Sequence, residues 1–273
     1  MSYKLVAIDM DGTLLNTKGV ISDRTRQAIY DASKKGIYIV LATGRILQSA
    51  INHAKKLNLN KPIISSNGAI IVDENKNIIY HKPIKSQSVK EIIEIGQSEN
   101  IYFHFYDDES FYSNVYIEEV LNFYNTDESK KSGNEIKFNI FDNADEIIGN
   151  KDINVYKFLF IDNDNSKLDR LKHRLIDIED ISMSKSWANN LEVMDRDVSK
   201  GNGLKHLCGK LNLSPKDVIA IGDNENDISM IEYAGLGVAM GNGVEKPKDA
   251  SDLGWSSKGY REICFIGDEA FCA

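Results

Sequence analysis

Two aspartates separated by one residue, Asp9 and Asp11, directly follow the apolar run Leu5 to Ile8. In extended backbone, side chains two positions apart point the same way, so both carboxylates can address one reacting centre. Such a pair suits a division of labour in which one acid attacks an electrophile while its neighbour protonates the leaving oxygen and later deprotonates water. Gly12 lets the chain turn sharply and brings backbone N–H groups toward an anion, and Thr13 follows it. A carboxylate is a weak nucleophile toward an anionic phosphorus centre, so the charge must be neutralised nearby. Asp223, in the stretch Gly-Asp-Asn-Glu-Asn-Asp from Gly222, can complete an oxygen-rich site for Mg²⁺. Lys200, in Asp-Val-Ser-Lys-Gly from Asp197, adds a fixed positive charge. Thr43 and the Gly44 amide can hydrogen-bond phosphoryl oxygens, and Arg45 offers a bidentate contact. These groups together suit phosphoryl transfer.

The elements that must position them are legible as patterns. Three apolar runs, Leu5 to Ile8, Ile37 to Leu41 and Pro62 to Ile64, each end in a polar or glycine-containing turn and read as buried parallel strands. Between the first two, Ser22 is placed to cap a helix that turns Ala28, Ile29 and Ala32 inward until Gly36 stops it. Near the other end, Val218 to Ile221 and Gly237 to Met240 repeat the pattern of an apolar strand feeding a polar turn. In an open α/β sheet, ligands bind beyond the carboxyl ends of the strands, so these turns are expected to converge on one crevice. Residues from about 84 to 187 change in texture, being rich in Tyr, Phe, Asn and Asp, with strands at Tyr102 to Tyr106 and Tyr156 to Ile161. Helical stretches near Val89 to Gly96 and Lys167 to Ile176 accompany them. The expected fold class is α/β, a doubly wound, Rossmann-like parallel-sheet core with an inserted α+β cap domain. Its expected divisions are core 1–83, cap 84–187 and core 188–273, with linkers near Pro83 and near Trp187 to Asn190.

Composition narrows the setting. The 273 residues, 42% of them hydrophobic, suffice for one large domain carrying a smaller one. No apolar stretch approaches the roughly 20 residues of a membrane span, and the opening Met-Ser-Tyr-Lys-Leu-Val runs into a strand without a signal-peptide pattern. A cytoplasmic protein is expected. Cys208, Cys264 and Cys272 lack metal-ligand spacing and are expected to be reduced thiols without chemistry. A net charge of −8 repels nucleic acid, and no local basic patch offsets it. The same charge repels a phosphorylated small molecule, so its capture must rest on a few local cations.

The constellation resembles the haloacid dehalogenase superfamily, and specifically its Cof-like sugar-phosphatase branch. The elements that carry the resemblance are Asp-Met-Asp-Gly-Thr-Leu-Leu from Asp9, Ala-Thr-Gly-Arg from Ala42, Asp-Val-Ser-Lys-Gly-Asn-Gly-Leu from Asp197 and Gly-Asp-Asn-Glu-Asn-Asp-Ile-Ser-Met from Gly222. Val-Ala-Met-Gly-Asn from Val238 and Ser-Asn-Gly-Ala from Ser66 stand beside them. The resemblance implies that Asp9 is the nucleophile and Asp11 the general acid and base. It implies metal ligation by the Asp9 carboxylate, the Asp11 carbonyl and Asp223, with Asp227 supporting the site. It further implies that Thr43, Lys200 and Asn226 hold the phosphoryl group and that the cap selects the leaving group. From Ser251 the chain departs from the family pattern, which leaves its last residues without an expected place.

Plainer readings stand beside these. A lysine at a helix start opposes the helix dipole, which argues for a specific partner at Lys200. Thr43 can be a helix cap only, and Arg45 and Asn226 can merely orient neighbours. Asp107, Asp108 and Glu109 read as a solvated turn, because three adjacent acids cannot all face one ion. The five histidines lack paired spacing, although His104 lies in an aromatic strand where it can face a substrate. The Tyr and Phe run from Tyr102 to Tyr112 reads as core packing. The leading expectation is hydrolysis of a phosphate monoester. The alternatives are a phosphomutase-type phosphotransferase and a non-catalytic protein that binds a phosphorylated metabolite.

Overall fold

The computed structural model describes residues 3–124, 136–149, 153–186, 188–254, 263–266 and 269–272. The chain opens with β1 (Leu5–Ile8), α1 (Asp23–Lys34), β2 (Tyr38–Ala42), α2 (Leu47–Lys56), β3 (Ile63–Ser65), β4 (Ile70–Val72) and β5 (Ile78–His81). A second stretch holds α3 (Ser86–Ser98), β6 (Tyr102–Tyr106), β7 (Ser110–Ser113), α4 (Glu118–Tyr124), β8 (Lys137–Ile140), α5 (Ala144–Ile148), β9 (Lys157–Ile161), α6 (Asn165–Leu175), β10 (Ile181–Ser184) and β11 (Asn190–Asp195). The remainder holds α7 (Lys200–Leu211), β12 (Val218–Gly222), α8 (Ile228–Tyr233), β13 (Leu236–Ala239), α9 (Glu245–Ala250), β14 (Leu253–Gly254), β15 (Ile263–Ile266) and β16 (Glu269–Cys272). No helix among the described residues is long and apolar enough to cross a membrane.

By internal contacts the chain divides into two compact units, one formed by Met1–Gly44, His53–Tyr80 and Ser199–Ala273, the other by Arg45–Asn52 and His81–Val198. The first is built on an eight-stranded sheet in the order β14-β13-β12-β1-β2-β3-β4-β5. The strands from β14 to β3 run parallel, and β4 turns back antiparallel to β3. Every residue of β1 and β12 is buried, as continuous Val, Ile, Leu and Ala runs require in a sheet covered on both faces. The order of pairing puts the opening strands on one side of β1 and the returning ones on the other, so β1 and β12 meet where the strand order reverses. Their register, Ile8 against Ile221, carries the residues after both strands to the same rim. Helix α1 begins as its sequence predicts: the Ser22 side chain accepts a hydrogen bond from the Thr25 N–H at 3.1 Å, and Ala28, Ile29 and Ala32 face inward. Cys208 is fully buried in this unit's core.

The second unit holds a six-stranded sheet in the order β10-β11-β9-β6-β7-β8, antiparallel except between β7 and β8. One face alternates Phe103, Phe105, Phe158, Phe160, Leu191 and Val193 against Ile92 and Ile93 of α3 and Leu168 and Leu171 of α6. This bears out the packing role expected of the aromatic run. Strand β11 belongs here, hydrogen-bonded between β9 and β10, although the expected boundary at 187/188 assigns it to the returning core. Trp187 of that expected linker lies outside the described residues, as does most of the chain beyond Gly254. The described pieces of that terminus, β15 and β16, form an antiparallel pair of their own.

Asp107 departs from the expected solvated turn. It is 7% exposed and accepts from the backbone N–H groups of Glu109 and Ser110 at 2.9 and 2.6 Å and from the Tyr112 hydroxyl at 2.8 Å. A short acid at a hairpin bend satisfies that bend's own donors, which is why it tolerates burial. Only Glu109 of the three acids is exposed.

A buried ion pair crosses the sheet from β9 to β11. The Lys157 ammonium donates to Glu192 Oε1 at 2.6 Å, and both residues are at most 3% exposed. The Ser186 hydroxyl donates to the same carboxylate at 2.9 Å. Removing one member of such a pair leaves a buried charge uncompensated. Lys157→Met is therefore expected to lower stability by about 3–5 kcal/mol, and Lys157→Met with Glu192→Leu to recover most of it, both read by thermal or denaturant unfolding. A single variant as stable as the wild type would contradict the pairing.

His104 is fully buried beside this pair, and burial, then the Lys157 charge, lowers its imidazole to about 3. The folded chain thus holds His104 neutral, whereas the unfolded chain protonates it below about pH 6.5. Its contribution to stability is present in full above that value and is lost as pH falls toward 3, amounting to roughly 2 kcal/mol by pH 5. The drop in thermal midpoint between pH 7.5 and pH 5 is expected to be smaller in His104→Phe than in the wild type. An equal drop would show that His104 does not titrate this way.

Candidate active site

The residues after β1 continue the sheet for one position and then turn. The Asp9 N–H donates to the Ile221 carbonyl at 2.9 Å, which fixes Asp9 against the end of β12. The Leu14 and Leu15 N–H groups donate back to the carbonyls of Asp9 and Met10 at 3.2 and 2.8 Å, closing a tight loop. Gly12 sits in that loop at φ +90, a conformation that other residues adopt only at a cost, and a Cβ on it would collide with the Asp223 carboxylate. The loop is tied to the other half of the chain by side chains as well. Thr13 Oγ1 donates to Asp223 Oδ1 at 2.7 Å, and Asn242 Nδ2 donates to the Gly12 carbonyl at 2.8 Å.

The loop after β12 carries Asp223 and Asp227. Asp227 is fully buried, and its Oδ2 accepts from the backbone N–H groups of Asp223 and Asn224 at 2.9 and 3.0 Å. Its Oδ1 accepts from the Lys200 ammonium at 2.6 Å, and the same ammonium donates to Asp9 Oδ1 at 2.5 Å. Lys200 is the first residue of α7, capped by Ser199, whose side chain accepts from the Asn202 N–H at 3.1 Å. The partner that its unfavourable place on the helix dipole called for is thus a pair of carboxylates, one from each half of the chain. The Gly201 N–H donates to Ser229 Oγ at 3.0 Å, anchoring the start of α7 to α8.

Electrostatics follow from this crowding. Burial raises the Asp9 carboxyl well above the ordinary range, the Asp227 charge adds to this, and Lys200 opposes it. Asp223 is pushed up to about 6 by burial first; the Thr13 hydrogen bond opposes the rise and the Asp227 charge adds to it. Burial alone would lower the Lys200 ammonium, but Asp227 and Asp9 outweigh it and hold it protonated. Three buried carboxylates around one ammonium leave an excess of negative charge. Carboxylate oxygens of Asp9, Asp223 and Asp227 lie within 4.8 Å of one another, an all-oxygen acidic group able to hold a metal ion. Since Asp227 already satisfies Lys200 and two backbone donors, Asp9 and Asp223 are the better fitted of the three as ligands.

The other residues named from sequence take these places. Asp11 is exposed on the loop two positions beyond Asp9. Thr43 is fully buried at the end of β2, its N–H donating to the Ile64 carbonyl at 2.9 Å, and Gly44 follows it half-buried. Arg45 groups with the second unit, where its guanidinium donates to Ser49 Oγ at 3.3 Å. Asn226 Nδ2 donates to Asn67 Oδ1 at 3.1 Å. Sequence reasoning gave no role to Thr13, Asn242 or Asn67. Thr13 follows the Asp-x-Asp-Gly turn, and Asn67 and Asn242 lie in stretches that carried the family resemblance, so position offered a signal while their partners, far away in sequence, did not.

Comparison with known proteins shows the family. A family model described as haloacid dehalogenase-like hydrolase matches residues 6–258. The chain is 33% identical to the phosphatase YwpJ of Bacillus subtilis over 91% of this chain and 93% of that protein. It is 32% identical to the 5-amino-6-(5-phospho-D-ribitylamino)uracil phosphatase YcsE of the same organism, over 92% of this chain and 89% of the other. The solved structure of a haloacid dehalogenase-like hydrolase from B. subtilis superposes with a TM-score of 0.81 at 30% identity, covering 92% of this chain and 94% of that one. The chain belongs to the haloacid dehalogenase-like hydrolases, in their Cof-like branch, and is a phosphatase.

Proposed function

We propose that this phosphatase is Mg²⁺-dependent and hydrolyses a small phosphorylated metabolite, a sugar phosphate or related polyol phosphate, through a phosphoryl group held covalently on Asp9. One observation carries the reading: the buried Lys200 ammonium bridges Asp9 and Asp227 beside Asp223, holding a carboxylate in fixed aim where a cation is at hand. Asp9 attacks phosphorus as the bond to the leaving oxygen breaks, and Asp11 gives that oxygen a proton. Asp11, now a carboxylate and exposed to solvent, takes a proton from water. That water attacks the phosphorus, the Asp9–phosphorus bond breaks, and inorganic phosphate leaves with Asp9 restored. Lys200, the Thr43 hydroxyl, the Gly44 N–H and Asn226 stabilise the phosphoryl oxygens throughout, with Arg45 assisting. The Asp9 and Asp223 carboxylates and the Asp11 carbonyl would hold Mg²⁺, which would further neutralise the phosphoryl charge. The unit that contains residues 81–198 acts as the cap that selects the leaving group. The name of YcsE, a phosphatase for an ester on a ribityl chain, supports a hydroxyl-rich substrate.

A phosphate-release screen over phosphorylated metabolites, without an added acceptor, is expected to give turnover that EDTA suppresses and Mg²⁺ restores. Asp9→Asn is expected to lower it by at least about a thousandfold with little change in thermal midpoint. Full activity in either case would overturn the assignment, and transfer only to a second sugar hydroxyl would favour a phosphomutase. Gly12→Ala should reduce kcat/KM by about a hundredfold, because its Cβ displaces the Asp223 carboxylate and misplaces the reacting groups. A kinetically normal Gly12→Ala would refute the close fit of the two loops.

A further inference from the structure

The stretch Ser66-Asn67-Gly68 matches the family's pattern, yet none of the steps above uses it. It forms a tight turn immediately after β3, and all three residues are buried. Asn67 is 1% exposed at φ 56 and ψ 26, the left-handed region in which Asn is tolerated better than most residues. Its N–H donates to the Thr43 carbonyl at 2.9 Å, and its Oδ1 accepts from Asn226 Nδ2 at 3.1 Å. Gly68, at φ +98, packs so close to the Ser199 carbonyl that a Cβ would overlap it, and Ser199 caps the helix that begins with Lys200. One three-residue turn therefore touches the end of β2, the loop after β12 and the start of α7.

We propose that Asn67 is a positioning residue that sets which way the Asn226 carboxamide presents its atoms to the transferred phosphoryl group; this rests on the phosphoryl-binding role assigned to Asn226 above. A carboxamide has a donor side and an acceptor side, and a rotation by half a turn exchanges them. An anion is stabilised by N–H and repelled by carbonyl oxygen. Asn67 Oδ1 can only accept, so while it faces Asn226 it binds the NH₂ side and disfavours the rotated form. The remaining N–H of Asn226 is then held in one orientation, and its rotational freedom is lost before the substrate arrives. The left-handed backbone and the N–H bond to the Thr43 carbonyl fix the main chain from which the Asn67 carboxamide reaches Asn226. Asn67 acts through Asn226 and touches no reacting atom.

Asn67→Gly keeps the left-handed backbone while deleting the acceptor, so it separates conformation from the hydrogen bond. We expect it to weaken inorganic phosphate binding, measured calorimetrically with Mg²⁺ present, by about tenfold and to raise KM more than it lowers kcat. Asn226→Ala should cause a similar loss, and the double variant Asn67→Gly/Asn226→Ala should lose no more than Asn226→Ala alone. In the wild type, one of the two Asn226 side-chain amide protons, assigned by their disappearance in Asn226→Ala, should shift on adding phosphate while the other stays; this reading needs no Asn67 variant to fold. Multiplicative losses in the double variant, wild-type phosphate affinity in Asn67→Gly, or unshifted amide protons would overturn the role of Asn67 while leaving the phosphatase assignment standing. A wild type that neither binds phosphate nor releases it from any substrate would overturn the reading of the site and this inference with it.

Discussion

A lysine ammonium buried between two aspartates is the interaction on which the site depends. An unpaired charge inside a protein is costly, so Lys200 keeps its place because Asp9 and Asp227 both accept from it. Those acids belong to opposite ends of the chain and meet only because β1 and β12 are neighbours in the sheet. The pairing in turn orders the loops. Asp227 spends its second oxygen on the backbone N–H groups of Asp223 and Asn224, so fixing Asp227 also fixes the start of the loop that carries Asp223. Thr13 then links Asp223 back to the loop of Asp9. Lys200, Asp227, Asp223, Thr13 and Asp9 thus form a closed circuit of hydrogen bonds and backbone, and no member can move without disturbing the next.

The same circuit explains the charge of the site. Lys200 offsets part of the negative charge of Asp9, Asp223 and Asp227, and burial amplifies what remains. A protein with a net charge of −8 attracts no phosphate by its overall field. Attraction has to come from point charges held at the reaction centre, with Lys200 as the protein's own and a divalent cation as the natural complement to an all-oxygen acidic group.

How much of this was legible in the sequence differs between the two units for a physical reason. Buried parallel strands bury both faces, so β1, β2 and β12 stand out as unbroken apolar runs ending in polar turns, and the acids in those turns are visible with them. Strand β11 of the antiparallel sheet is likewise buried at all six positions, but it carries Asn190, Glu192 and Asp195 among them. Locally it reads as the polar start of the returning core, and only its pairing with β9 and β10 shows where it belongs. Asp107 misleads similarly, because its burial is sustained by donors within its own turn. In the site, residue types announced Asp9, Asp223 and Lys200, whereas the partners of Thr13, Asn67 and Asn242 lie more than 150 residues away in sequence. Such contacts follow from topology and have no local signature.

The chemistry of the site turns on where the phosphoryl group goes. Acid-quenching the enzyme during turnover of a phosphorylated substrate and mapping the digest by mass spectrometry tests this directly. A phosphoryl adduct is expected on the peptide beginning Leu-Val-Ala-Ile-Asp, located to Asp9 and removed by hydroxylamine as an acyl phosphate must be. An adduct on any other residue, or active enzyme quenched repeatedly with no adduct while labelled water enters the phosphate in a single direct step, would contradict this expectation.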